Sequence, residues 1–171
     1  TCDSNQIQDC THEQLVNTYD NSLLYTDAML DNTIKLLQQY SGKFNTAMVY
    51  LSDHGESLGE NGMYLHGTPY MFAPSQQTHV PFLMWMSADY ERNFGINRQC
   101  LQSLAETDKV SQDNLFHTLL GMLNVQTSRS ITIFARRKPS AKQCCNAILP
   151  ITTLKCRLCL LTAAAMRVIS Y

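Results

Sequence analysis

Apolar residues fall into a small number of distinct rhythms along this 171-residue chain. From Glu13 to Tyr40 they recur at Tyr19, Leu23, Leu30, Ile34 and Leu37, spacings that trace one face of a helix and predict a long amphipathic helix packed on a sheet. Thr11 is placed to cap its start, with Glu13 and Gln14 in the first turn, and Ser41-Gly42 supplies the stop. Residues 44–51, Phe-Asn-Thr-Ala-Met-Val-Tyr-Leu, are apolar for most of their length, as expected of a strand covered on both faces. Residues 68–75 contain two prolines and three bulky apolar groups, which predicts an irregular loop able to roof a site. Val80 to Met86 forms the next strand, with Pro81 near its start and Trp85 expected in the core. Asp89 to Gln99 reads as a polar connection. Residues 111–125 form a second amphipathic helix, with Leu115, Phe116, Leu119, Leu120 and Leu123 on its buried side and Ser111 or Asp113 as cap. The order helix, strand, loop, strand, helix suits an α/β fold.

Charge divides the chain more sharply than its near-neutral total suggests. Residues 1–127 carry 14 acidic against 5 basic side chains, a formal −9, whereas residues 128–171 carry 8 basic side chains and no acid. Beyond Thr127 the apolar period also stops, so we treat 1–127 as the folded body and 128–171 as a separate basic, Cys-containing tail, of the kind an out-of-frame translation produces. Two functional readings of the tail compete with that one. Its basic residues lack the interleaved aromatics of a nucleic-acid platform, and Cys156-x-x-Cys159 lacks a well-spaced second pair for zinc, adjacent Cys144-Cys145 being a poor match. No nucleic acid is expected as a partner. No apolar run reaches the length of about 18 residues that a membrane helix needs, and the amino terminus reads as no basic, apolar, small-residue leader, so any export signal is expected outside this sequence. Cys2 and Cys10 enclose a short polar loop with no His or third Cys nearby, which favours a local disulfide and points to an oxidising compartment; Cys100 has no evident partner.

Candidate chemistry concentrates after the first strand, in Tyr50-Leu-Ser-Asp-His-Gly-Glu-Ser-Leu-Gly-Glu-Asn-Gly-Met-Tyr-Leu-His-Gly67. Asp53 and His54 fall at the strand's carboxyl end, where open α/β sheets bind ligands, and oxygen with nitrogen ligation suits zinc or manganese. Gly55, Gly59, Gly62 and Gly67 are expected to supply positive-φ turns that bring His66 back toward the strand end. The bland alternative is an ordinary strand-to-loop turn with solvated side chains. Asp20, Asp27 and Asp31 read as a solvated helix face, His117 as structural and His12 as surface.

The extended pattern Asp53-His-Gly-Glu, the glycines that follow it, a second His at position 66 and then Val80-Pro81 resembles the alkaline phosphatase/sulfatase superfamily. Its flanks, Asn17-Thr-Tyr-Asp-Asn21, Tyr25-Thr-Asp27, Tyr64-Leu-His-Gly67, Phe72-Ala-Pro74 and His117-Thr-Leu-Leu-Gly121, narrow the resemblance to the bacterial lipid A phosphoethanolamine transferases. The resemblance covers residues 1–127 and implies the carboxyl-terminal half of a sulfatase-like catalytic domain, a partial α/β sandwich with a mostly parallel sheet flanked by helices.

It further implies a Zn2+ cofactor held by Asp53 and His54, with His66 contacting substrate phosphate or a second metal. Glu56 and Glu60 are expected to orient the loop through hydrogen bonds, and His79 to border the site unless it is a plain loop imidazole. The implied reaction moves phosphoethanolamine from phosphatidylethanolamine to lipid A, the modification behind polymyxin resistance. The intact parent would sit in the inner membrane through an amino-terminal domain, with its catalytic domain in the periplasm. No Thr of this chain lies in the family's nucleophile motif, so none is nominated, and the isolated chain is expected to be inactive. A sulfatase or phosphodiesterase of the same superfamily and a noncatalytic remnant are the competing readings.

Overall fold

The computed structural model describes residues 1–105, 111–125 and 168–169. A 3-10 turn at Ile7–Asp9 opens the chain, and a disulfide joins Cys2 to Cys10 around it. Helix α1, His12–Tyr40, starts with a full capping box: Thr11 Oγ1 accepts from the Gln14 amide at 3.3 Å, and Gln14 Oε1 accepts from the Thr11 amide at 2.9 Å. Two orphan amides of the first turn are satisfied in this way. Leu15 and Leu30 are its buried residues, and Tyr19, Leu23, Ile34 and Leu37 are half-buried, so the face drawn from spacing is the face that packs. The amide of Cys2 donates to Thr18 Oγ1 at 2.8 Å and fastens the disulfide loop to the helix.

Strand β1, Ala47–Leu51, follows, and later pairs with the longer strand β4, Val80–Met86. Between them lie β2, Ser57–Leu58, a 3-10 turn at Glu60–Gly62, β3, Tyr64–Leu65, and the single-turn helix α2, Ser75–Thr78. β2 and β3 form a small antiparallel ribbon. After β4 come α3, Ala88–Phe94, α4, Arg98–Ala105, and α5, Asn114–Met122; a short β5, Val168–Ile169, lies antiparallel along the start of β4. The main sheet has the order β1-β4-β5.

The α/β class holds, but the ladder among the described residues is antiparallel rather than mostly parallel, with Ala47 opposite Met86 and Leu51 opposite Phe82. The connection explains why. A parallel pair needs a crossover that carries the chain back along the sheet, usually a helix. Residues 52–79 hold only short elements, so the chain leaves one end of β1 and enters β4 at that same end. The long excursion thus begins and closes at one edge.

β4 alternates, with Val80, Phe82, Met84 and Met86 buried and Pro81, Leu83 and Trp85 half-exposed. Trp85 is therefore on the opposite face from the core rather than in it. The buried face joins Tyr90, Leu101 and Met122 in one apolar cluster, with Val49, Leu51 and Leu115 packed against its side. Tyr90 donates its hydroxyl proton to the Met122 carbonyl, so α3 and α5 are tied through the cluster by a buried hydrogen bond.

Two stretches depart from the pattern-based expectation. The span read as a polar connection is mostly helix: Ser87 Oγ caps α3 by accepting from the Tyr90 amide at 3.2 Å, and Gly95 ends it with a left-handed φ of 64°. A short helix with one buried aromatic has too few apolar positions to show a period, although its cap and stop residues were visible. In α5 the buried residues are Thr118 and Met122, while Phe116, Leu119 and Leu123 are exposed. The apolar side chains outnumber the places on one helix face, and the hydroxyl of Thr118 buries at no cost in unpaired polarity because it donates to the Asn114 carbonyl at 2.7 Å. The Cys156-x-x-Cys159 and basic-tail readings lie outside the described residues.

The alternation in β4 makes a direct prediction. Met84, 1% exposed, loses its side chain in Met84→Ala at a cost of about 2–5 kcal/mol, the range for emptying a core methionine, whereas Leu83→Ala costs less than half as much. Urea unfolding of both variants, followed by circular dichroism, checks which face is the core.

Candidate metal centre

The excursion between β1 and β4 is shaped at its base by one close approach. The amide of Gly55 donates to the Gln77 carbonyl at 3.0 Å, and a Cβ at position 55 would lie 1.9 Å from the Gln76 carbonyl oxygen. Gly55 is thus required by contact rather than by a positive φ, unlike Gly59, Gly62 and Gly67, which do take left-handed conformations. Ser52 Oγ donates to the His54 carbonyl at 2.8 Å and holds the turn after β1.

From this turn His54 and Glu56 project toward His66, which the β2-β3 ribbon returns to the same place. The imidazoles of His54 and His66 stack with centroids 3.7 Å apart. Glu56 Oε1 lies 2.8 Å from His66 Nδ1 and 3.7 Å from His54 Nδ1, and His54 Nδ1 is also 3.0 Å from the Gly55 carbonyl. With the proton on Nδ1, each ring donates to an oxygen and keeps Nε2 as its lone-pair nitrogen, the arrangement that orients metal-ligating histidines. His54, Glu56 and His66 each offer a donor atom, all within 4.8 Å of one another.

One feature of this trio calls for a cation. Glu56 Oε2 is buried and has no hydrogen-bond partner among the described residues. A carboxylate oxygen sealed from water without a donor is costly, and a metal ion removes that cost. Two imidazoles and a carboxylate are also a donor set that zinc accepts. The residues therefore fit a metal.

The other sequence-nominated residues take distinct places. Asp53 Oδ2 stands 3.7 Å from His54 Nε2 with its side chain 89% exposed, so it borders the trio at the solvent edge. Glu60 Oε2 accepts from the Leu58 amide at 2.8 Å and braces the ribbon. His79 is exposed and ends α2 through its backbone amide, which donates to the Ser75 carbonyl at 2.8 Å; its neighbour Thr78 is the residue that faces the site. An open cleft of about 510 Å3 lies at the centre, lined by Asp53, His54, His66, Thr68, Tyr70 and Gln77 among others.

Several supporting residues had no sequence signal. Gln77, 5% exposed, donates from Nε2 to Ser57 Oγ at 2.9 Å and accepts at Oε1 from the Thr68 amide at 3.2 Å. It joins both ends of the His-bearing loop to α2. Gln112, just before α5, donates to the carbonyls of Ser52 and Asp53 at 3.0 and 2.7 Å and fixes the strand end from the far side. His12, expected on the surface, places Nδ1 3.3 Å from the Leu58 carbonyl. The phenol of Tyr19 is held above its usual pKa, first by burial and then by the negative charge of Glu56.

Gly55→Ala must displace backbone, not a flexible side chain, and should destabilise the chain by about 1–3 kcal/mol or more, as overpacking does. Gln77→Ala strands the Thr68 amide and should cost about 1–3 kcal/mol. Thermal unfolding measures both, and proton NMR of the His54 and His66 rings should show their stacking shifts lost in each variant.

Comparison with known proteins places these residues within a recognised sequence pattern. A family profile described as Sulfatase matches residues 1–125. Over 127 residues the chain is 58% identical to the phosphoethanolamine transferase EptA of Escherichia coli strain K12, covering 74% of this chain and 23% of that protein. The phosphatidylethanolamine transferase Mcr-1 of Escherichia coli is 39% identical over 128 residues, 75% of this chain and 22% of its own length. Among solved structures, the soluble domain of lipooligosaccharide phosphoethanolamine transferase A from Neisseria meningitidis aligns with a TM-score of 0.69 at 48% identity, covering 72% of this chain and 37% of that one. The C-terminal periplasmic domain of EptC from Campylobacter jejuni aligns with a TM-score of 0.64 at 51% identity, covering 75% and 39%. The chain spans less than a quarter of the length of these curated relatives.

Proposed function

The chain belongs to the sulfatase family, and from that premise we propose that it carries the metal- and phosphate-binding part of a zinc-dependent phosphoethanolamine transferase acting on lipid A. The convergence of His54, Glu56 and His66 around a buried, unpartnered carboxylate oxygen carries this reading. Relatives at 58% and 39% identity bear the names of phosphoethanolamine and phosphatidylethanolamine transferases, and the relevant residues lie inside the matched segment.

In this reading the catalytic piece spans residues 1–127, and residues 128–171 stand apart from it. His54 and Asp53 are the metal ligands first named by the sequence. Glu56 is the carboxylate shared between the two rings, and His66 faces a substrate phosphate or a second metal. Zinc held there would polarise a phosphoryl oxygen and lower the pKa of an attacking hydroxyl. The chain's own residues do the positioning. Gln77 and Gln112 hold the loop and strand end so that the imidazoles keep one orientation, and the Glu56 charge would favour a cation held by these side chains. Thr68 and Thr78 line the cleft with hydroxyl-bearing side chains that can donate to phosphate oxygens. No threonine of this chain is assigned as the nucleophile.

The donor lipid would be phosphatidylethanolamine and the acceptor lipid A, with the catalytic piece on the periplasmic side of the inner membrane. The solved relative from Campylobacter jejuni is a periplasmic domain, and a further relative from Neisseria meningitidis is an integral membrane protein, which supports that setting. No helix among the described residues is long and apolar enough to cross a membrane.

Calorimetric titration of the purified chain with Zn2+ tests the centre. One equivalent should bind, and Asp53→Ala with His54→Ala should weaken it at least about tenfold, as Glu56→Gln should, within the range for lost metal-site groups. Binding should also weaken as pH falls, because imidazoles and carboxylates must be deprotonated to ligate. Unchanged affinity in the Asp53/His54 double variant would overturn the assignment.

A further inference from the structure

Residues 69–74, Pro-Tyr-Met-Phe-Ala-Pro, form a knuckle on the rim of the cleft. Phe72 donates its amide to the Pro69 carbonyl at 2.8 Å and Ala73 to the Tyr70 carbonyl at 3.3 Å, so the segment is two overlapping turns, bracketed by prolines. It nevertheless exposes three consecutive bulky side chains: Tyr70 at 66%, Met71 at 83% and Phe72 at 71%. A run of this kind on a tight, ordered turn costs solubility and contributes little to the core, which marks it as an interaction surface.

Its surroundings narrow the partner. No Asp, Glu, Lys or Arg occurs between His66 and Asp89, so neither the knuckle nor its flanks offer charge to a complementary protein surface. The exposed Leu24 and Tyr25 of α1, by contrast, sit among Asp20, Asp27 and Asp31. The knuckle is also continuous with the metal centre, since Tyr70 and Ala73 line the cleft that His54 and His66 floor. A cleft of about 510 Å3 with imidazole, carboxylate and hydroxyl groups in its lining, beside an uncharged apolar projection, matches one class of ligand: an amphiphile whose headgroup enters the cleft while its chains stay in an apolar phase. Tyrosine, with an apolar ring and a polar tip, is suited to the boundary between the two.

We propose that residues 70–72 insert into the interface of a phospholipid bilayer and hold the cleft at headgroup depth. This deepens, and rests on, the reading of the cleft as a headgroup site. It assigns the knuckle a role separate from metal binding: docking at the surface rather than chemistry.

Vesicles of equimolar phosphatidylcholine and phosphatidylethanolamine provide the test, because they carry no net charge and so give the 8 basic residues of 128–171 nothing to attract them. The whole chain should co-sediment with them, and replacing Tyr70, Met71 and Phe72 together by serine should lower the partition coefficient about tenfold or more, as loss of buried apolar area requires. Leu24→Ser with Tyr25→Ser should leave it unchanged. In a second variant, Met71→Trp with Trp85→Phe, tryptophan emission should shift to the blue on adding vesicles. Equal partition of parent and triple-serine chains, or no shift at position 71, would overturn the proposal, as would a knuckle that joins two copies of the chain and binds no vesicle. His54→Ala should not alter partition, so failure of the metal centre and failure of the docking surface are distinguishable.

Discussion

The seating of Gly55 against the Gln76-Gln77 backbone is the contact on which the site depends. It closes the excursion at its base, where the chain leaves β1 and is about to enter β4. Without a side chain at 55 the two backbones approach within hydrogen-bonding distance, and everything between them becomes a closed loop rather than a tether. Closing a loop of this length costs conformational entropy that grows only slowly with its length. The backbone hydrogen bonds from Gly55 to Gln77 and from Ser52 to Pro81, the Gln77 side-chain bridges and the β2-β3 ribbon together offset that cost. His54 and Glu56 lie beside this closure and His66 lies at the ribbon's return, so their mutual geometry follows from it.

Antiparallel pairing of β1 and β4 serves the same end. A crossover would have sent the chain to the far edge of the sheet, and residues 53 and 66 would then have been separated by a helix. Here both strand ends meet the loop on one edge, and Gln112 from the α5 side supports the strand terminus through two carbonyls. The alternating burial of β4 anchors that strand to the core through Val80, Phe82, Met84 and Met86.

The elements with a long period or a conspicuous motif were legible in the sequence. α1 announced itself through its spacing and the Thr11-Gln14 cap, β4 through its apolar run, and the site loop through Asp53-His54 with its glycines and returning His66. The strand polarity was not legible, because hydrophobic pattern reports which face is buried but not which way the neighbour runs. The span 88–94 was missed for want of apolar positions. The α5 face was misassigned because a hydroxyl that bonds its own helix can bury in place of a leucine. Gln77 and Gln112 carried no signal, since glutamine is ordinary on a surface and only the fold makes their amides bridge separate segments. Gly55 was rightly singled out, but for positive φ, when the physical demand is proximity.

Glu56 shows how the site converts a folding cost into a binding preference. In a core without a ligand, an acceptor such as its Oε2 would be expected to find a donor or water, because desolvated oxygen without a partner is unfavourable. The loop instead commits Oε1 to His66 and leaves Oε2 buried without a partner among the described residues. The phenol of Tyr19 is held above its usual pKa first by burial and then by the same negative charge. A neutral guest leaves that carboxylate uncompensated and a cation relieves it. The grouping of His54, Glu56 and His66 that could hold such a cation is shaped by the same loop closure that begins at Gly55.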